Sequence, residues 1–135
     1  MLEIDGIPPK LSGRECEALI CQQYWYHGKL ANEVDMLCIK AAGRWHALYF
    51  ENGTVFWRLL EDAPNPVATD ATDPFHYPQL DLGGKYALNG QFIDDCVAES
   101  LPDGARVVIR FEQAGMLVVT SLDNRTRIQY VATAY

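Results

Sequence analysis

Three histidines, four cysteines and the Asp94-Asp95 pair are the side chains of this 135-residue sequence best equipped for chemistry. His27, His46 and His76 stand far apart, and none has another histidine or a cysteine within four residues. Local ligand spacing of the kind that holds zinc is absent, so no metal and no cofactor is expected. Asp94 and Asp95 would point to opposite faces of a strand, which leaves Asp94 alone as an acid/base companion for a histidine such as His46. Nucleophile signatures are also missing. Ser12 opens a helix-capping pattern, Ser100 and Ser121 fall at strand ends, and Gly-x-Ser-x-Gly does not occur. Leu82-Gly83-Gly84-Lys85 lacks the spacing that cradles a phosphate.

Cys16, Cys21, Cys38 and Cys96 have apolar neighbours and form no Cys-x-x-Cys, which reads as inert buried thiols in a reducing compartment. The start, Met1-Leu2-Glu3-Ile4-Asp5-Gly6, has neither the basic residues nor the apolar run of a secretory signal, and no apolar run is long enough to span a bilayer. A cytoplasmic protein without a membrane segment is expected.

The formal net charge is −7, and most of it sits in one segment. Residues 61–83 hold Glu61, Asp62, Asp70, Asp73 and Asp81 with no Lys or Arg, while the sequence on either side is close to neutral. An acidic chain without a Lys/Arg cluster is a poor match for a phosphate backbone, so no nucleic acid is expected. Basic protein partners are its natural complement.

These side chains must be positioned by something, and the plainest element is Arg44 to Leu60. Asn52-Gly53 supplies the two positive-φ residues of a type I′ turn between two aromatic and aliphatic runs. The turn fixes a register in which Tyr49 faces Phe56 and Leu48 faces Trp57. One face then carries His46, Leu48, Phe50, Val55, Trp57 and Leu59. The other carries Trp45, Ala47, Tyr49, Phe56, Arg58 and Leu60. The first is expected to meet the core. The second is expected to lie under the acidic loop or another molecule.

Ser12-Gly13-Arg14-Glu15 fits a capping box, and Cys16, Leu19, Ile20 and Tyr24 recur at helical spacing before Gly28. This predicts a helix over about 13–26, preceded by an extended arm at Ile7-Pro8-Pro9. Strands are predicted at 33–41, 44–51, 54–60, 106–112, 116–122 and 126–134, with 91–99 a strand or a short helix. The fold class is therefore α+β: one single domain over 1–135, its N-terminal helix packed on a curved, mainly antiparallel sheet of six or seven strands. The connection 61–83 is long, contains Pro64, Pro66, Pro74 and Pro78, and carries Phe75, His76 and Tyr77. Loops of that length are commonly functional.

The pattern favours a non-catalytic binding protein of the inhibitor or immunity type. It would dock a basic partner through Trp45, Tyr49, Phe56 and Arg58 on the hairpin and Asp70, Asp73, Phe75, His76, Tyr77 and Asp81 on the loop. The alternative is a small-ligand binder or hydrolytic enzyme with a pocket around His46, lined by Trp57, Tyr49 and Tyr86, with Asp94 as the acid/base companion. A homodimer using the hairpin is a third possibility.

Overall fold

Five two-residue turns join neighbouring strands, and all but Pro102-Asp103 between residues 101 and 104 take positive φ at both central residues. Those four are His27-Gly28 (49° and 73°), Ala42-Gly43 (52° and 74°), Asn52-Gly53 (50° and 79°) and Asp123-Asn124 (51° and 61°). Such turns match the twist of antiparallel strands, so each closes a tight hairpin. In the computed structural model, which describes residues 2–133, the first three string β2 (Ala18–Tyr26), β3 (Lys29–Ala41), β4 (Arg44–Glu51) and β5 (Thr54–Leu60) into one meander. The fourth joins β10 (Gly115–Leu122) to β11 (Arg125–Val131), next to β8 (Ile93–Leu101) and β9 (Gly104–Phe111).

Two sheets result. In the first, β1 (Glu3–Asp5) runs parallel to β5, the order continues β5-β4-β3-β2, and the short strands β6 (Phe75–His76) and β7 (Gln79–Asp81) close the far edge on β2. The second is the meander β11-β10-β9-β8. They face each other across one core. Leu19, Cys21, Leu37, Ile39, Leu48, Val55 and Trp57 meet Ile93, Val107, Ile109, Phe111, Leu117 and Val119. This is a β-sandwich, each strand alternating one side chain inward and one outward.

The α+β expectation is wrong, and the N-terminal helix is its error. Gly13 takes φ +78°, outside any helix, and Arg14 N donates to Leu11 O to close a turn. Residues 18–26 then form β2, with Leu19 and Cys21 inward and Ala18 and Ile20 outward. Both faces of β2 carry apolar side chains, a pattern that helical spacing fits equally well. The only helix among the described residues is the short α1 (Leu82–Lys85), N-capped by Asp81, whose Oδ1 accepts from Gly84 N at 2.9 Å. A second sheet lies where the helix was expected. The strand total is also wrong, at eleven among the described residues rather than six or seven. Among the described residues, no helix is long and apolar enough to cross a membrane.

The outward face of the first sheet has its own small cluster. Cys38, Trp45 and Ala47 are buried there with Ala18, Ile20, Met36 and Leu60 packed against them. The connection from β5 must pass β4, β3 and β2 to reach β6 and β7, and the second sheet occupies the inner side. It therefore crosses the outer face. Leu60 to Asn65 bend beside Met36, and Pro64 O accepts from Gln79 Nε2 at 3.3 Å.

Candidate functional site

The crossing connection ends in a turn built from its own acids. Asp70 Oδ1 accepts from Thr72 N at 2.8 Å and from Thr72 Oγ1 at 2.5 Å, while Asp73 Oδ2 accepts from Asp70 N at 2.9 Å. These donors hold the Asp70 carboxyl below the usual carboxylate range. The turn delivers the next residues onto the sheet edge: Pro74 O accepts from His27 N at 2.6 Å, and Thr69 Oγ1 bonds His76 Nδ1 at 2.9 Å.

An aromatic surface forms at that edge. Phe75 pairs with Tyr26 and His76 with Trp25 across β6 and β2. Tyr77 stacks on Tyr24 with centroids 5.1 Å apart, Tyr24 lies 6.4 Å from Tyr26, and Phe75 lies 6.1 Å from Tyr77. His27 meets the Tyr26 ring edge-on at 4.3 Å. Tyr26 is 46% exposed and Phe75 39%, so the cluster is open to solvent although its rings touch. Asp35, held by Gln22 Nε2 at 2.9 Å, lies close enough to push the Tyr77 hydroxyl pKa up, after burial and together with Tyr24. Rings with carboxylates beside them form the electronegative surface to which guanidinium and ammonium groups are attracted.

The expected site residues are thus only partly brought together. Asp70, Asp73, Phe75, His76 and Tyr77 share this edge. Asp81 lies at its end as the α1 cap. The hairpin set sits elsewhere on the outer face, in the register that Asn52-Gly53 dictates. Trp45 is buried, Tyr49 and Phe56 stack in parallel at 4.9 Å, and Arg58 lies over Phe56. Arg58 is bound to Asp5 at 2.6 Å and so belongs to the contact that holds β1.

The pocket imagined around His46 is split. His46 and Trp57 line one groove with the N-terminal arm. Tyr49 is on the opposite face of the hairpin. Tyr86 stacks on Tyr130 at 4.6 Å, and Asp94 lines a separate cleft with Arg110 and Met116. His46 and Asp94 are therefore not arranged as an acid/base pair. Burial and the nearby Arg44 lower the His46 pKa, keeping the ring neutral near pH 7.

All four cysteines are free; Cys16, Cys21 and Cys38 are buried and Cys96 is half-buried. Burial raises the pKa of Cys16 to about 11 and those of Cys21, Cys38 and Cys96 to about 12, leaving them protonated and weakly nucleophilic. Among the described residues, no group of His, Cys, Asp and Glu is placed to hold a metal ion.

Tyr24, Tyr26 and His27 are the residues of this surface that sequence reasoning missed. Their signal was His27-Gly28, a positive-φ pair of the same kind as Asn52-Gly53. It follows Tyr24-Trp25-Tyr26, three aromatics that favour a strand. No protein-family model, no curated protein and no solved structure matches this chain.

Proposed function

We propose that this protein is a non-catalytic binding protein of the cytoplasm that docks a basic protein partner, in the manner of an inhibitor or immunity protein. The observation that carries the reading is the convergence of an acidic connection and an exposed aromatic cluster on one sheet edge, where Phe75 and Tyr77 join Tyr24 and Tyr26. Aromatic anchors ringed by carboxylates combine the residue types that dominate interface energies with a field that steers a cationic partner. The four free thiols support a reducing compartment.

The test separates steering from anchoring. A basic protein captured from native lysate provides the ligand for kinetic measurements. The triple variant D70N/D73N/D81N retains an amide oxygen at each position to accept the local hydrogen bonds, but it removes three charges. Its association rate should fall and lose most of its salt dependence. The double variant Y26A/F75A should instead raise the dissociation rate about tenfold or more, the behaviour of an anchor contributing on the order of 2 kcal/mol. An unchanged association rate in the first variant, together with an unchanged dissociation rate in the second, would refute the reading.

A further inference from the structure

On the opposite side of the molecule, the N-terminal arm and the β4–β5 hairpin line a groove of about 510 Å³. Gly6 takes φ +91°, and a Cβ there would collide with the Trp57 carbonyl, so the arm is pressed onto β5 at that point. Pro8 and Pro9 then carry it away as a stiff extended wall. Trp57 forms part of the lining. Two aliphatic side chains flank the groove, and both are exposed, Ile7 at 88% and Leu59 at 59%. Apolar surface presented in a concavity of this size is the usual make-up of a small-molecule site.

The charge of the lining runs against that of the chain. The chain has 18 Asp and Glu against 11 Lys and Arg, yet the groove is lined by Lys10, Arg44 and Arg58 and by no carboxylate. Arg58 is committed to Asp5, but Lys10 and Arg44 are exposed and form no ion pair among the described residues. His46 stands beside Arg44 with a neutral ring, able to donate one N–H.

We infer that this groove binds a small amphiphilic carboxylate, its apolar chain between Ile7, Trp57 and Leu59 and its head group on Lys10 and Arg44. A guanidinium receives a carboxylate through paired hydrogen bonds, and a neighbouring ammonium adds a point charge. The apolar walls supply chain burial, and the cations select the sign of the head.

Octanoate, 1-octanol and octylammonium share one chain and differ in head charge, and all three can be used below micelle formation. Each is titrated into the isotope-labelled full chain at pH 7 while the three tryptophan indole N–H resonances are followed. Octanoate should shift Trp57 and the amides of Lys10, Arg44 and Leu59, leaving Trp25 on the far edge unmoved. Octanol should bind at least tenfold more weakly and octylammonium more weakly still. The double variant K10Q/R44Q changes two exposed side chains. It should bring octanoate down to the affinity of octanol and leave octanol unaffected. Leu59→Glu, at another exposed position, should abolish octanoate binding. No shift of Trp57 with octanoate, equal binding of octylammonium, or full octanoate affinity in K10Q/R44Q would overturn the inference.

Discussion

The thiols of Cys16, Cys21, Cys38 and Cys96 ionise only at about 11 to 12 in the folded chain, against an ordinary value of 9.0. The cause is chiefly burial, which penalises the thiolate. Below the unfolded value both states are protonated, and these groups add no pH dependence. Between that value and the folded ones, the unfolded chain has lost protons that the folded chain keeps, so stability declines as pH rises. Urea midpoints should therefore hold steady to about pH 8 and fall above about pH 9, each thiol adding up to ~1.4 kcal/mol per pH unit. Cys38→Ala removes one such proton, and its alkaline slope should be shallower; a slope equal to the parent's would show that another group drives the decline. His46 works in the opposite sense. Its folded pKa lies below the ordinary 6.5, so its contribution is present above that value and lost as pH falls beneath it. His46→Gln should flatten that part of the acid limb.

Turn chemistry governs the next scale, and it decides what was legible in the sequence. Asn52-Gly53 disclosed its hairpin with register and faces intact because both residues accept positive φ, and all seven cross-strand pairs of β4 and β5 follow from it. His27-Gly28 does the same work with a residue less often found in such turns, so in the sequence the capping pattern at Ser12 outweighs it and predicts a helix where β2 lies. The deeper reason is not local. β2 carries apolar residues on both faces because the crossing connection passes over the outer one, and no short window of sequence records that. The same holds for the sites. Phe75 and Tyr77 stood out as aromatics in an acidic segment, whereas Tyr24 and Tyr26 emerged only once β2 and β6 were paired. The groove depends on the arm meeting β5 through β1, a parallel pairing of distant segments. Two substitutions probe these turns. At Gly28 a Cβ meets nothing within 4 Å, so Gly28→Ala should cost only the backbone strain of a positive φ, about 1–2 kcal/mol by thermal unfolding. Ala42 already bears that strain at φ 52°, and Ala42→Asn should recover part of it, raising the melting temperature.

For the whole molecule, the decisive feature is that the two sheets share their main core, the small outer cluster of the first sheet apart. Leu48 and Trp57 of the first sheet and Ile109 and Leu117 of the second belong to one continuous buried cluster. Separating the sheets would expose an inner face of each, so neither sheet should survive loss of the other, and unfolding should be a single transition. The positions of the tryptophans make this measurable, since Trp25, Trp45 and Trp57 all lie in the first sheet. Fluorescence therefore reports residues carried by that sheet, Trp57 at its face toward the second, while far-ultraviolet circular dichroism reports both. Leu117→Ala opens a cavity in the second sheet, far in sequence from every tryptophan, and should cost about 2–5 kcal/mol, the range for a fully buried leucine. Its tryptophan-detected midpoint in urea should fall by as much as its dichroism-detected midpoint, and the two curves should superimpose. Leu59→Ala, at a side chain 59% exposed, should move both by less than about 0.5 kcal/mol. If Leu117→Ala shifted the dichroism curve and left the tryptophan curve in place, the two sheets would be separate folding units. The groove and the aromatic edge, both built on the first sheet, would then be insulated from damage to the second.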